Sequence, residues 1–155
     1  MKERYKRVLL CMPPLPGVYY GVPPAPPVGI GYLSEVLSQN NIMNDVIDMR
    51  LGYKLEDLKN KIRQFKPDLI GFTVNTYRYD VPYSYIKVIK SKNYDIMVGG
   101  PQASIERKKI FKDLEIEYVT KYGGERLIIE LCNGVPLGKI NGLIYKKDNE
   151  IIENP

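Results

Sequence analysis

The fold is decided by one stretch of the sequence, Lys66-Pro67-Asp68-Leu69-Ile70-Gly71-Phe72-Thr73-Val74. Its second half, residues 69–74, is almost continuously apolar, which is typical of a strand that is buried on both faces of a parallel sheet. The preceding apolar positions, such as Leu55 and Leu58, recur at helical spacing, and that helix must end before Pro67 because the residue before a proline avoids the helical region. The stretch therefore predicts the end of a helix followed by a central parallel strand.

The same succession recurs on both sides of this stretch. Further short apolar runs predict strands at residues 8–12, 45–49, 96–98 and 118–120. Helices with apolar residues every three to four positions are predicted to begin near Ile30, Leu55, Asp80, Ser104 and Glu125. Five βα units with right-handed crossovers predict an α/β fold, a doubly wound, flavodoxin-like (Rossmann-like) parallel sheet of five strands. Ligands of such sheets bind outside the carboxyl ends of the strands.

The C-terminal segment has a different pattern. Two short apolar runs flank the polar residues 146–150, which predicts a β-hairpin at an edge of the sheet. We therefore divide the chain into an α/β ligand-binding domain, residues 1–138, and a hairpin with the start of a linker, residues 139–155.

Composition excludes several classes of protein. The 155 residues fit one domain, and no apolar run approaches the roughly 20 residues that a membrane span needs, so we expect a cytoplasmic protein without membrane contact. The net charge is +5, but the lysines are spread over helix surfaces, and nucleic-acid binding is not predicted. Cys11 and Cys132 lie far apart in apolar segments and are expected to be buried, inert thiols.

The loops after the strands carry the candidate binding residues. The first loop, residues 13–28, has sixteen residues, where about two to six are usual, and its seven prolines favour a fixed extended shape that presents Tyr19 and Tyr20. Hydroxyl and amide groups at residues 73–77 follow the third strand. Glycine pairs follow the fourth strand, in residues 99–104, and the fifth, in residues 122–125, where they would let the backbone approach a ligand closely.

Three motifs in this order carry a resemblance to a known family: Pro27-Val28-Gly29-Ile30-Gly31-Tyr32-Leu33, Lys66-Pro67-Asp68-Leu69-Ile70-Gly71 and Gly99-Gly100-Pro101. Together with the proline-rich loop, they resemble the cobalamin-binding domain that precedes the catalytic barrel in cobalamin-dependent radical S-adenosylmethionine enzymes. The resemblance covers nearly the whole chain. It implies that the corrin lies on the strand ends while the nucleotide tail descends between the sheet and the helices.

The resemblance and the loops together define the candidate set. The expected cofactor-binding residues are Pro14, Tyr19, Tyr20, Pro27, Gly29, Thr73, Asn75, Thr76, Tyr77, Gly99, Gly100, Pro101, Gln102, Ala103, Tyr122, Gly123, Gly124 and Glu125. The chain departs from the family at two of them: Gln102 stands where the usual Gly-Gly-Pro-His-Ala has its histidine, and Tyr122 begins a segment that is usually Gly-Glu-Gly-Glu. No catalytic residue and no metal ligand are expected in this chain.

The chain contains no histidine. Related methyltransferases and mutases with the motif D-x-H-x-x-G bind cobalt through that histidine, so cobalt held here would lack such a ligand. Radical chemistry also needs a C-x-x-x-C-x-x-C cluster site, which two distant cysteines cannot form. We therefore expect cobalamin but no iron–sulfur cluster in this chain, and a radical S-adenosylmethionine catalytic domain as partner, in cis or in trans.

Two alternatives remain open at this point. A nucleotide-binding Rossmann-like domain is suggested by Gly29-Ile30-Gly31-Tyr32-Leu33-Ser34 and by Asp48 at the end of the second strand, although the long first loop separates that glycine motif from its strand. The departures at Gln102 and Tyr122 also fit a domain that has lost its ligand and serves as an interaction module.

Overall fold

The computed structural model describes residues 3–15 and 25–155. In chain order the elements are β1 (Arg7–Met12), α1 (Val28–Gln39), β2 (Met43–Asp48), α2 (Leu55–Phe65), β3 (Leu69–Thr73), α3 (Asp80–Ile89), β4 (Asp95–Gly99), α4 (Pro101–Glu106), α5 (Ile110–Asp113), β5 (Tyr118–Thr120), α6 (Glu125–Cys132), β6 (Leu143–Lys147) and β7 (Glu150–Glu153). Short 3₁₀ turns occupy Met49–Leu51, Arg107–Lys109 and Leu137–Lys139. Because α1 begins at Val28, the first loop comprises residues 13–27.

The described residues form one sheet of seven strands in the order β2-β1-β3-β4-β5-β6-β7. The first five strands of that order are parallel, which confirms the doubly wound α/β architecture. The direction in which successive strands are added to the sheet reverses after β2. As a result, β2 lies on one side of β1, and β3, β4 and β5 lie on the other. All five parallel strands point their carboxyl ends to the same edge, where the loops predicted to bind a ligand meet.

The sheet is covered on both faces. One apolar core packs α2, α3, α4 and α5 against residues such as Phe72 and Val98, and the other packs α1 and α6 against residues such as Leu10 and Met97. Side chains alternate between these cores along each strand, which explains why the strands are apolar throughout.

The prediction of a five-stranded sheet was wrong in its strand count. The hairpin lies at an edge of the sheet, as predicted, and adds two strands to it: β6 pairs antiparallel with β5, with Val119 opposite Ile144, and β7 continues the same sheet. Asp148 and Asn149 both have positive φ, at 48° and 67°, and two such residues form the tight turn whose twist matches paired strands. The hairpin thus covers the edge that β5 would otherwise expose.

Some local predictions were also wrong. Ser104 does not begin the fourth helix, which starts at Pro101, and a 3₁₀ turn then divides the predicted helix into α4 and α5. Proline suits the first helical position because its missing N–H has no partner there in any case. Val88 of α3 and Ile105 of α4 are apolar, yet they are 56% and 65% exposed.

Burial explains the chemistry of both cysteines. Cys11 and Cys132 are free thiols within the two cores, as predicted. Burial raises the pKa of both, that of Cys132 to about 12, so the thiols stay protonated near neutrality. No helix in residues 3–15 and 25–155 has the length and apolar character that crossing a membrane requires.

Candidate functional site

A narrow cleft opens at the carboxyl edge of the sheet, between β3, β4 and β5 on one side and the starts of α1 and α6 on the other. Its volume is about 60 Å³. Its lining residues are Leu10, Ile30, Leu33, Gly71, Phe72, Thr73, Met97, Gly99, Gly100, Thr120, Tyr122 and Gly124. Five of them were predicted from the loops: Thr73, Gly99, Gly100, Tyr122 and Gly124.

The floor of the cleft exists because β3 has a glycine in its middle. A methyl group on Gly71 would lie 3.1 Å from Leu10 Cδ2 and 3.8 Å from Met97 Cε, in the space that the cleft now occupies. Glycine inside a strand weakens the strand and commonly marks a close approach of a ligand or of another chain segment. At the end of β4, a Cβ on Gly99 would lie 2.9 Å from Thr120 Oγ1. Side chains at these two positions would therefore fill the cleft.

The walls are apolar except for three hydroxyl groups, those of Thr73, Thr120 and Tyr122. Ile30 and Leu33 of α1 form one wall, while Thr73 and Thr120 end their strands at the mouth. Among the described lining residues, Tyr122 is the one titratable side chain, and it is 64% exposed. The cleft therefore suits a largely apolar group that also offers hydrogen-bonding atoms near the edge of the sheet.

Gly100 serves the protein's own packing. Its φ is +96°, and a Cβ there would lie 2.9 Å from the carbonyl oxygen of Val74 and 3.2 Å from Thr73 Cγ2. The amide of Val74 donates to the carbonyl oxygen of Gly99 at 2.8 Å, and the amide of Gln102 donates to that of Val74 at 3.1 Å. In the structure the glycine lets the loops after β3 and β4 touch, and the expectation that it also lets a ligand approach stays a prediction.

The remaining predicted residues do not line the cleft, although they lie in the loops after β1, β3 and β5 or in the first turns of α1, α4 and α6. Those with described positions are Pro14, Pro27, Gly29, Asn75, Thr76, Tyr77, Pro101, Gln102, Ala103, Gly123 and Glu125. Tyr77 is 61% exposed, whereas Gln102 and Ala103 are buried. Ala103 packs in the core on the opposite face of the sheet. Tyr19 and Tyr20 lie outside the described residues.

The side chain of Gln102 is 3% exposed and only partly paired. Its Nε2 lies 3.4 Å from Glu106 Oε1, and its Oε1 has no hydrogen-bond partner among the described atoms. A buried carbonyl oxygen without a partner costs free energy, so this position is costly for the fold.

Seven lining residues were missed by sequence reasoning: Leu10, Ile30, Leu33, Gly71, Phe72, Met97 and Thr120. Two of these carried a usable signal. Gly71 interrupts an apolar strand, and Thr120 places a hydroxyl group at a strand end, as Thr73 does. The apolar members carried none, because a residue that lines a cleft and one that fills a core have the same character.

The residue at the end of β2 bears on the dinucleotide alternative. Asp48 would have to accept ribose hydroxyl groups, but its carboxylate accepts two hydrogen bonds from the guanidinium of Arg50, at 2.9 Å and 2.7 Å. Both side chains are largely buried, with 12% and 13% exposure. The acid that this alternative needs is therefore engaged within the protein.

A buried lysine joins the loop after β5 to the end of β7. Lys121 Nζ donates to the carbonyl oxygen of Asn154 at 2.5 Å and lies 3.5 Å from Glu153 Oε1. The same ammonium group lies 5.4 Å from the ring centre of Tyr122. The cleft residue Tyr122 is thus adjacent to a contact that fastens the C-terminal strand.

The sequence profile of the B12 binding domain matches residues 22–130, more than two thirds of the chain. The chain belongs to the B12-binding domain family. In this B12-binding domain, the match includes β2 to β5, α1 and nearly all of the cleft residues.

Two curated proteins resemble this B12-binding domain in sequence. An uncharacterised methyltransferase of Pyrococcus horikoshii is 25% identical over 96% of the chain, and the anaerobic magnesium-protoporphyrin IX monomethyl ester cyclase of Rubrivivax gelatinosus is 24% identical over 84%. The chain spans only 34% and 26% of the lengths of these relatives.

Solved structures share the fold of the B12-binding domain. The cobalamin-dependent S-adenosylmethionine radical enzyme OxsB, with aqua-cobalamin and S-adenosylmethionine bound, superimposes with a TM-score of 0.82 at 21% identity. The radical S-adenosylmethionine methyltransferase TsrM from Kitasatospora setae, with tryptophan substrate and an S-adenosylmethionine analogue bound, gives 0.79 at 20% identity. Each match covers 97% of this chain, but 22% and 30% of those proteins.

Proposed function

We propose that this domain binds cobalamin at the carboxyl edge of its sheet, without a histidine ligand to cobalt, on behalf of a radical S-adenosylmethionine enzyme. In this proposal the corrin lies against the loops after β1, β3, β4 and β5. The nucleotide tail enters the cleft between the sheet and helices α1 and α6. When bound, cobalamin supplies a cobalt centre that a partner catalytic domain uses in group transfer or electron transfer.

The observation that carries the proposal is the glycine-floored cleft at this edge. Gly71 and Gly99 leave space where side chains would otherwise stand, and the space lies on the face of the sheet that α1 and α6 cover. An apolar floor with Thr73 and Thr120 at the mouth suits an aromatic base joined to a polar sugar phosphate.

The cleft must widen before it accepts such a group, because ligand pockets usually measure about 300–1,000 Å³. Leu33 and Tyr122 border it from α1 and from the loop after β5, and neither is fully buried. We propose that these two side chains move outward when the ligand enters, while the glycine floor stays in place.

The histidine-free composition determines the cobalt environment that we propose. Imidazole is the usual protein nitrogen ligand of such metals, and this chain has none. Cobalt would therefore carry no nitrogen from this domain on its lower face. Its other ligands would come from solvent or from the cofactor.

Two experiments test this function. Hydroxocobalamin should co-elute with the purified domain in gel filtration at about one equivalent. After reduction to the cobalt(II) form, the electron paramagnetic resonance spectrum should be the same for protein of natural abundance and for protein labelled uniformly with ¹⁵N, because no protein nitrogen binds the metal.

The outcomes separate the two parts of the proposal. Colourless protein after gel filtration would contradict cobalamin binding and would favour the interaction-module alternative. A hyperfine pattern that changes on ¹⁵N labelling would leave cobalamin binding in place but refute the absence of a protein nitrogen ligand.

The catalytic partner is part of the same proposal. Cys11 and Cys132 are buried in different cores and cannot supply three thiolates to one cluster, so we propose that the iron–sulfur cluster belongs to a partner domain, in cis or in trans. We further propose that residues 1–138 hold the cofactor-binding residues, while residues 139–155 complete the sheet beside β5 and lead toward a linker.

A further inference from the structure

Arg50 connects the end of β2 to the end of the first loop. Its Nε–H donates to Asp48 Oδ1 at 2.9 Å, and its Nη2 donates both to Asp48 Oδ2 at 2.7 Å and to the carbonyl oxygen of Ala25 at 2.9 Å. Asp48 also accepts from the backbone amide of Arg50 at 3.1 Å. The carboxylate of Asp48 thus holds the guanidinium in one orientation through two hydrogen bonds, and the guanidinium donates a further hydrogen bond to the end of the first loop.

Ala25 lies three residues before Val28, the first residue of α1. Pro27 is the N-cap of α1, and its carbonyl oxygen accepts from the amide of Gly31 at 2.9 Å. The helix has no side-chain cap at this end and no acidic residue in its first turn. The local sequence therefore does little to fix where α1 starts, and a contact from outside the helix takes that role.

The start of α1 matters because it forms a wall of the cleft. Ile30 is 2% exposed and lines the cleft together with Leu33, one helical turn further on. A shift of the first turn of α1 would move both side chains relative to Gly71 on the floor of the cleft.

We propose that Asp48 and Arg50 are a positioning pair, which fixes the end of the first loop and thereby places the Ile30–Leu33 wall for the ligand. This inference rests on the proposed cobalamin-binding function. Asp48 orients the guanidinium, and Arg50 holds Ala25. Neither residue touches the ligand in this scheme.

Lysine cannot replace Arg50 in this role. A lysine ammonium is a point charge on a flexible stem and cannot hold a bidentate carboxylate and a carbonyl oxygen in one rigid geometry. Arg50→Lys nevertheless keeps Asp48 neutralised, so it avoids the uncompensated buried charge that Arg50→Met creates. The two variants together separate geometry from charge.

The test uses both variants with Lys90→Met as the matched control. Lys90 forms a partly buried ion pair with Glu117, which lies at the amino end of β5, away from the cleft. Hydroxocobalamin affinity is measured by absorbance titration, and hydrogen exchange of residues 28–33 is measured without ligand. Urea unfolding checks that each variant is folded.

We expect both Arg50 variants to raise the dissociation constant about tenfold and to speed exchange in residues 28–33, because three fixed hydrogen bonds are lost or loosened. The Lys90→Met control should leave the dissociation constant within about twofold, since charges far from a site act on it weakly. Normal affinity in Arg50→Lys with weak binding in Arg50→Met would show that Arg50 acts by charge, and would overturn the positioning role.

Unchanged hydrogen exchange of residues 28–33 in both Arg50 variants would also overturn the positioning role. If the wild-type domain binds no hydroxocobalamin, the proposed function fails. The exchange measurement, which needs no ligand, then still decides whether the pair fixes the start of α1.

Discussion

Replacing Gly71 with alanine places one methyl group in the floor of the cleft. The new Cβ would lie 3.1 Å from Leu10 Cδ2 and 3.8 Å from Met97 Cε. Both neighbours are the ends of flexible side chains, and Gly71 is not among the residues with positive φ, so alanine fits the backbone. We expect the free energy of unfolding to change by no more than about 1 kcal/mol.

The effect on binding should be larger than the effect on folding. If the new methyl group displaces the part of the ligand that fills the cleft, the binding free energy weakens by about 0.8 kcal/mol through lost apolar contact. Moderate overpacking raises this loss of binding free energy to about 2 kcal/mol. These values correspond to a dissociation constant for hydroxocobalamin that is about 4-fold to 30-fold higher. Gly71→Val should bind more weakly still, because it adds two further methyl groups to a cleft of about 60 Å³.

The assay is absorbance titration with hydroxocobalamin, paired with urea unfolding of each variant. Gly31→Ala is the control, since a Cβ at this exposed position of α1 would meet no atom within 4 Å. It should keep wild-type affinity. Equal affinity of the wild type, Gly71→Ala and Gly71→Val would refute the assignment of this cleft to the ligand.

Three further predictions concern the fold. Gly100→Ala should lower the free energy of unfolding by about 2 kcal/mol or more, because φ is +96° and the new Cβ would lie 2.9 Å from the Val74 carbonyl oxygen; a neutral variant in urea unfolding would contradict this packing role. Lys121→Met should remove the bond to Asn154 and lower the melting temperature by about 2–8 °C, and an unchanged melting curve would show that this bond contributes nothing. Stability should be nearly constant from about pH 6 to pH 8, since no histidine titrates there, and should fall above about pH 8.5, where an unfolded chain begins to release its thiol protons. The fall begins because burial raises the pKa of Cys11, and that of Cys132 to about 12. It steepens above about pH 10 because burial also raises the pKa of Tyr5, Tyr94 and Tyr118, and that of Tyr83 to about 12. In each case the folded state keeps a proton that the unfolded state releases. Urea unfolding across this pH range measures it, and constant stability up to pH 11 would contradict it.

The parallel sheet could be predicted from sequence because the sequences of its strands fit few other secondary structures. Residues 69–74 are too short and too continuously apolar for a surface helix, and Pro67 marks where the preceding helix ends. That helix ends at Phe65, as the argument requires. Burial on both faces leaves a strong signal, because every position of the strand must be apolar.

The pairing of the hairpin was not predictable in the same way. The residues of β6 and β7 indicate two strands and a tight turn, but a local pattern does not identify the strand on which a hairpin pairs. The choice depends on β5, whose three residues, Tyr118–Thr120, would otherwise form an open edge. Covering that edge is a property of the assembled sheet.

The candidate site was also predictable only in part. Thr73, Gly99 and Gly124 line the cleft because the first two end β3 and β4 and the third lies in the loop after β5, at the carboxyl edge of the sheet. The side chain of Gln102 lies in a core because α4 starts at Pro101, one residue after the glycine pair, and this start sets which way each following side chain points. The loop sequence does not encode that direction.

The central claim is that the glycine-floored cleft at the carboxyl edge holds cobalamin. The most direct test is a ¹H–¹⁵N chemical-shift titration of the labelled domain with hydroxocobalamin. The account predicts that the largest shifts fall on Gly71, Gly99 and Thr120. An absence of shifts at excess hydroxocobalamin would contradict the claim, as would shifts confined to the groove of about 400 Å³ between β2 and α2, which Asn60 and Gln64 line.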